Sequence, residues 1–389
     1  MGVVKPLVLS GRSPAADILG LGAERRSIRL RLPVSFPADD RDAALITSDD
    51  DWKVADAHNY KLAVGRIARP DGFSLSYVRL PAAFAEVGEG DVLGVHPQSG
   101  RVRALYRRSS RHNFFLVTER CNNYCMMCSQ PPRKVDDSWL IDEIAETLSL
   151  VDPATIALTF TGGEPLTEWR RFIGLLDVAR DLLPDTAVHV LTNGRGFSSP
   201  EIANAWAAVG HSKLSAGIPI YAAVDHIHDY VVQAKGALDQ TVLGVLHLKD
   251  RGQRVEIRTV LHAITAPRLR ETCSWIARNL PFVDHVALMG MEHTGFAIAN
   301  SDLLWIDPLD YQEQLKAGVD VLSAAGVNVS VYNLPLCVLD PSVRPFAVQS
   351  ISDWKNAYVK ECEGCSVRRD CAGFFSTGRP RLSRGIAPI

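Results

Sequence analysis

The sequence has no apolar run approaching the ~18–20 residues that a membrane-crossing helix needs, so no membrane association is expected. The opening residues, MGVVKPLVLSGRSP, lack the apolar stretch of a secretory signal. Pro6 stands where a myristoylation pattern wants Ser or Thr. These absences lead to the expectation of a cytoplasmic protein. Charge of a single sign is also missing. Lys and Arg number 42 against 44 Asp and Glu, and no basic stripe or long like-charge block interrupts the mixture. A nucleic-acid partner is therefore not expected. No internal repeat or low-complexity segment is visible. Histidine is absent from residue 113 to residue 188.

What is present is an ordinary globular composition, with 47% hydrophobic and 22% charged residues over 389 positions. That length suits two or three domains with ample core. Residues 1–108 read as a small β-rich domain. AALITSDD, GFSLSYVRL, DVLGVHP and RVRALYRR look like short strands between Gly, Pro and Asp turns, and HPQSGR looks like a hairpin connection. The simplest role for this region is to cover one end of the larger domain.

From residue 109 to about 330, strands and helices alternate. Strands are expected at NFFLV (113–117), TIALTF (155–160), AVHVLT (187–192), LSAGIPI (214–220), VEIRTVL (255–261) and VDHVALM (283–289). A helix over about 138–150 takes Ser138 as its N-cap and places Leu140, Ile141, Ile144 and Leu148 on one face. A second, over about 168–183, stops before Pro184. Ser199 with Pro200, and Asp307 with Pro308, open two more. Six such units predict an α/β fold, a partial (β/α)6 TIM-type barrel, because parallel strands need helical crossovers that cover the sheet. Residues 331–389 form a separate cysteine-bearing segment.

Cysteine is concentrated in two places. CNNYCMMC puts Cys121, Cys125 and Cys128 at the C-terminal end of the first barrel strand. TGGEP follows the second strand and TNG the third, so three unusual loops converge on the rim where barrel sites form. Three thiolates at this spacing suit zinc or an iron–sulfur cluster. A local zinc ribbon lacks its histidine. A 4Fe–4S cluster held by three cysteines leaves one iron open for an outside ligand. The second set, Cys337, Cys362, Cys365 and Cys371, supplies four thiolates, enough to close one cluster. Its spacing also permits zinc. Cys273 lies in an apparent helix beside Trp275 and reads as a packed small hydrophobe.

CxxxCxxC after the first strand and Gly-Gly-Glu after the second resemble the radical S-adenosylmethionine (SAM) superfamily over residues 113 to about 330. The resemblance implies that SAM chelates the open iron. It implies that Met127 contacts the adenine region, at a position usually aromatic. It implies that Gly162 and Gly163 approach the methionine part of SAM in unusual backbone conformations, and that Glu164 accepts from its ammonium. Thr192 and Asn193 match the TNG that faces SAM or substrate. Arg258 would meet the SAM carboxylate or sit in a structural ion pair. The histidine and aspartate of DHIHDY, His228 and Asp229, resemble an architectural "HD". Glu292 and His293, at the end of the sixth strand, would touch substrate or cap structure. The C-terminal cysteines resemble the auxiliary 4Fe–4S region of SPASM and twitch enzymes in a shorter, single-cluster form.

TERCNNYCMMCSQPP, GMEHTGFA and SISDWKNAYVKECEGCSVRRDCAGFF together resemble the His-Xaa-Ser system radical SAM maturases of type C. That resemblance implies a ribosomally made peptide substrate, a His-Xaa-Ser repeat peptide among the candidates. It also implies a sister radical SAM maturase and an external one-electron reductant such as flavodoxin or ferredoxin. Two other readings stay open: a radical SAM enzyme acting on a small molecule or cofactor precursor, and a non-catalytic scaffold stabilised by metal.

Overall fold

Alternating apolar segments assemble into two eight-stranded sheets in the computed structural model, which describes residues 9–14, 17–349, 357–375 and 381–389. The first sheet contains β1 (Ser10–Arg12), β2 (Ile18–Leu19), β3 (Arg26–Arg31), β4 (Asp42–Ile46), β5 (Leu62–Gly65), β6 (Ser76–Arg79), β7 (Val92–His96) and β8 (Arg101–Tyr106). One helix, α1 (Asp50–Ala57), joins β4 to β5. The strand order is β1-β8-β7-β3-β4-β5-β6-β2, with β3 to β6 parallel and the others antiparallel. Four of these strands match the segments read from the sequence. β3 escaped because arginines alternate with its buried Ile28 and Leu30, so its mean polarity hides a two-residue period.

The second sheet is the barrel. Its strands are β9 (Asn113–Leu116), β10 (Ala157–Thr161), β11 (Ala187–Leu191), β12 (Leu214–Pro219), β13 (Arg254–Leu261), β14 (His285–Gly290), β15 (Val329–Tyr332) and β16 (Ala347–Val348). All pair in parallel and in sequence order. The crossovers carry α2 (Trp139–Leu148), α3 (Trp169–Leu182), α4 (Pro200–Ala208), α5 (Asp225–Val232), α6 (Ala237–Asp250) and α7 (Leu269–Asn279). After β14 come the single turns α8 (Phe296–Ala299) and α9 (Ser301–Leu304), then α10 (Gln312–Ala324). The six expected strands are β9 to β14. Two short strands extend the sheet, and β15 lies across the 330 division because it continues the parallel ladder. Among the described residues no pairing joins β16 back to β9, so the barrel is open.

One face of each barrel strand packs under the helices. Phe160 is fully buried, 5.7 Å from Phe115 and 5.8 Å from Phe172, and Trp206 meets Phe197 at 5.1 Å. Burial of each such ring is worth roughly 1.5–3 kcal/mol. Cys273 is fully buried on α7, facing Gly318 of α10, as a packed hydrophobe should be. No helix among the described residues is long and apolar enough to cross a membrane.

Two helix starts differ from expectation. Ser138 does not cap α2. It has helical dihedrals, and its N–H donates to the Asp136 carboxylate at 3.2 Å. Ser199 sits extended before Pro200 but makes no side-chain cap bond. Asp307 does cap, accepting from the Leu309 N–H at 3.0 Å. The N-terminal sheet runs along α2 and also reaches the residues that lead into β9 and β10, through Arg107 to Asn113 and Tyr106 to Thr155. Trp139 lies under the guanidinium of Arg25, 3.4 Å away, Arg103 pairs with Glu143, and Arg41 reaches Ser149.

The opposite strand face, inside the barrel, is polar. Glu256 accepts from Arg258 at 2.6 Å and pairs with His285 Nδ1 at 2.8 Å, while His285 Nε2 meets Ser330 Oγ at 2.9 Å. Arg258 is thus already in an ion pair. Burial raises Glu256, but the hydrogen bond from His285 and the charge of Arg258 outweigh it and hold the carboxyl at about 2. Burial holds His189, His228 and His262 at about 4, below the 6.5 of a free imidazole. The unfolded chain takes up protons that these native histidines refuse. Stability should therefore fall as pH drops from about 6.5 towards 4. Urea midpoints measured from pH about 7.5 down to about 5 should decline, and replacing His262 with Asn should flatten the decline. An unchanged midpoint across that range would contradict these assignments.

Candidate functional site

Three loops leave the C-terminal ends of β9, β10 and β11 and meet at one rim. The first carries Cys121, Cys125 and Cys128. It is tied down from outside by α5, whose last carbonyls would otherwise lack partners. Tyr124 N–H donates to Val232 at 3.0 Å and Met126 N–H to Val231 at 3.0 Å. On the other flank Phe296 N–H donates to the Cys128 carbonyl at 2.9 Å, and Asn300 Nδ2 to the Met126 carbonyl at 2.8 Å. Gly295 belongs at this contact, since φ is +53° and a Cβ would stand 2.4 Å from the Cys128 oxygen.

The second loop crosses the first at backbone distance. Gly163 N–H donates to the Thr118 carbonyl at 2.7 Å and Glu164 N–H to Arg120 at 2.8 Å. A Cβ on Gly162 would lie 2.5 Å from the Thr118 oxygen, and one on Gly163 would lie 2.0 Å from that of Arg120. Neither glycine has a positive φ, which corrects the expectation of unusual backbone conformations. Their missing side chains are required by the close approach of their own chain.

Glu164 is almost entirely buried. Its Oε1 accepts from Thr192 Oγ1 at 2.7 Å and from Leu166 N–H at 3.0 Å, and its Oε2 accepts from Asn193 N–H at 2.6 Å. Burial raises its pKa against the pull of these donors. Asn193 Nδ2 donates to Asn122 Oδ1 at 2.6 Å, which carries the third loop back to the first. Arg195 completes the stitch, reaching the Asn122 carbonyl at 2.9 Å and Asn123 Oδ1 at 2.6 Å. Asp137, also buried, accepts from Thr118 Oγ1, Glu119 N–H and Arg120 Nε. Asn122, Asn123, Asp137 and Arg195 were not singled out in the sequence. The paired asparagines between cysteines were the one signal for them.

The thiols of the first set are poorly solvated. Burial pushes Cys121 up to about 11 and Cys125 up to about 12, each raised further by its neighbours' charge, and burial raises Cys128 too. Left alone they stay protonated. The positive charge of a metal centre is what turns such groups into thiolates. Met127 is buried in an apolar cluster with Tyr221, Val231 and Val232. His228 and Asp229 are architectural. Tyr221 N–H donates to His228 Nδ1 at 3.2 Å, and Asp229 accepts from the N–H groups of Gly236 and Leu238 at the start of α6.

The second set comes together from distant segments. Cys337, Cys362, Cys365 and Cys371 all line one small recess. Cys371 Sγ accepts from the N–H groups of Leu336 at 3.4 Å and Gly373 at 3.5 Å. The C-terminal tail closes the recess. Ala387 and Ile389 line it, and the Ile389 carbonyl accepts from Ser366 N–H at 3.0 Å and Oγ at 2.7 Å. Among the described residues, no three His, Cys, Asp or Glu side chains close around a single ion. Residues 350–356 of the phrase that begins SISDWKN lie outside the described residues.

Residues 115–276 match the family model of the Radical SAM superfamily. No curated protein matches the chain in sequence. Among solved structures, SuiB of Streptococcus suis bound to S-adenosylmethionine is similar at 13% identity and a TM-score of 0.47, over 64% of this chain and 55% of that one. A radical SAM methyltransferase from Sphaerobacter thermophilus is similar at 14% identity and a TM-score of 0.45, over 64% and 74%. The enzyme anSMEcpe with bound AdoMet is similar at 17% identity and a TM-score of 0.44, over 56% and 62%. The chain spans about half the length of the SuiB structures it matches.

Replacing Gly163 with Ala forces a Cβ against the backbone of Arg120 and must push the loops apart. The variant should be less stable than the unaltered chain by about 1–3 kcal/mol, read as a lower urea midpoint. An unchanged midpoint would show that the crossing tolerates a methyl group.

Proposed function

We propose that this chain, whose residues 115–276 match the family model of the Radical SAM superfamily, is a radical SAM enzyme that modifies a ribosomally made peptide in a system of the His-Xaa-Ser type. The observation that carries the enzymatic part is the convergence of three half-buried cysteines with the Gly162–Glu164 and Thr192–Asn193 turns on one rim. The peptide part rests on the resemblance of three sequence phrases to the type C maturases.

The residues fit the group they would hold. Cys121, Cys125 and Cys128 would ligate three irons of a 4Fe–4S cluster and leave the fourth for SAM. When bound and reduced by an external one-electron donor, that pair supplies a 5′-deoxyadenosyl radical able to take hydrogen from an unactivated C–H bond. The chain's own part is to hold and to exclude. Glu164 fixes the Thr192–Asn193 turn, and Asn122 and Arg195 fix the cysteine loop against it. The apolar cluster of Met126, Met127 and Tyr221 keeps water from one flank. Arg258 is paired through Nη1 with Glu256 inside the barrel. Cys337, Cys362, Cys365 and Cys371 would close a second 4Fe–4S cluster with no open iron, in an electron-transfer or supporting role.

The test is an anaerobic reaction with reductant, SAM and the peptide encoded beside the gene. 5′-Deoxyadenosine and peptide mass are measured together. Cys125→Ala should abolish 5′-deoxyadenosine and spare the second cluster. Cys365→Ala should still release some 5′-deoxyadenosine but little modified peptide. Retained SAM cleavage in Cys125→Ala would overturn the proposal. Zinc in place of iron at the C-terminal set would remove its second half.

A further inference from the structure

An apolar cleft opens between the two cysteine sets. Its floor is built from the ends of β13 and β14, with Met291 continuous with the Met126–Met127 cluster beside the first set. Pro335, Gly373 and Phe374 form its far wall, and the same three residues line the recess of the second set. Any molecule in this cleft lies between the two sets of thiols.

Polar residues interrupt the apolar lining; Asn333 and Ser383 are engaged with Gly290 and Asp307, which leaves Arg381 and His293 to consider. Arg381 lies over the Trp305 ring, 5.6 Å from its centre. Its ion-pair partner is Asp302 at 3.4 Å, whose side chain is 96% exposed. A pair so open to water is worth little and exchanges easily. His293 also lines the cleft, and its Nδ1 is buried without a hydrogen-bond partner. Burial and the charge of Arg381 lower the His293 pKa, so the ring is neutral and can offer an N–H. A buried donor left unsatisfied costs about 1–3 kcal/mol unless a ligand meets it. A guanidinium fork beside an N–H donor matches the two oxygens of a carboxylate, and apolar walls strengthen the attraction.

We propose that this cleft receives a carboxylate-bearing segment of the peptide substrate, with Arg381 and His293 taking the carboxylate and Trp305 and Phe374 flanking its apolar neighbour. The carboxylate belongs either to an acidic side chain or to a free peptide C-terminus. This inference rests on the reading of the chain as a peptide-modifying enzyme.

The test is binding to the anaerobically purified full chain with SAM and without reductant, by calorimetry or saturation-transfer NMR. Three probes are compared: N-acetyl-Ala-Phe with a free carboxylate, N-acetyl-Asp-Phe-amide, and N-acetyl-Ala-Phe-amide. At least one carboxylate probe should bind roughly ten-fold tighter than the neutral one, and the advantage should vanish in Arg381→Gln and survive in part in Arg381→Lys. Preference for the first probe assigns a C-terminal carboxylate, and preference for the second an acidic side chain. Equal binding of all three, no binding of any, or a preference untouched by Arg381→Gln overturns the proposal. Reductive SAM cleavage by the unaltered chain is assayed separately, so the parent reading and this one can fail independently.

Discussion

A carboxylate shut away from water holds the rim together. An unpaired buried charge costs several kcal/mol, so Glu164 is tolerable only where donors surround it. The Thr192 hydroxyl and the backbone N–H groups of Leu166 and Asn193 do so. The donors come from two turns, Leu166 after β10 and Thr192–Asn193 after β11, so satisfying one side chain fixes the end of β10 relative to the end of β11. Asn193 passes the constraint to Asn122 between the first two cysteines. The positions of the thiols thus depend on a residue that does not touch them.

The two cysteine sets are built on opposite principles. The first lies within eight consecutive residues, so little chain entropy separates its members, and the work of the fold is to fix one loop from both flanks. The second draws Cys337 to Cys362, Cys365 and Cys371 across a wide sequence gap. Closing that distance costs loop entropy, offset by tethers at either end of the tail. Asp307 holds Ser383 and Arg384, and Ser366 holds Ile389. Asp307 also caps the segment leading into α10, so one carboxylate joins the barrel to the covering of the second set.

Much of this was legible in the sequence because it is periodic or local. The barrel strands announce themselves as apolar runs, and the cysteine, Gly-Gly-Glu and Thr-Asn-Gly turns fall at strand ends by topology. The N-terminal sheet was half legible. Arginines masked the alternation of β3, β5 is four residues long, and α1 opens on acidic residues that read as a turn. The packing of that sheet along α2 depends on arginines meeting Trp139 and Glu143, contacts for which a sequence has no register. At the rim the loops were visible, but their stitching was not. Hydrogen bonds such as Asn193 to Asn122 span 71 positions, and nothing in either short motif indicates the other. The ion pair of Arg258 with Glu256, two residues away on the same strand face, is by contrast a local feature.

The crossing of backbones at Gly162 and Gly163 has a bearing on ancestry. These glycines are demanded by the path of the polypeptide before any cofactor arrives, since a methyl group at either would overlap the carbonyls of Thr118 or Arg120. A descendant that lost its cysteines would still be held to both glycines by the path of its backbone. The Gly-Gly pair is therefore a mark of the architecture, independent of whatever the thiols hold.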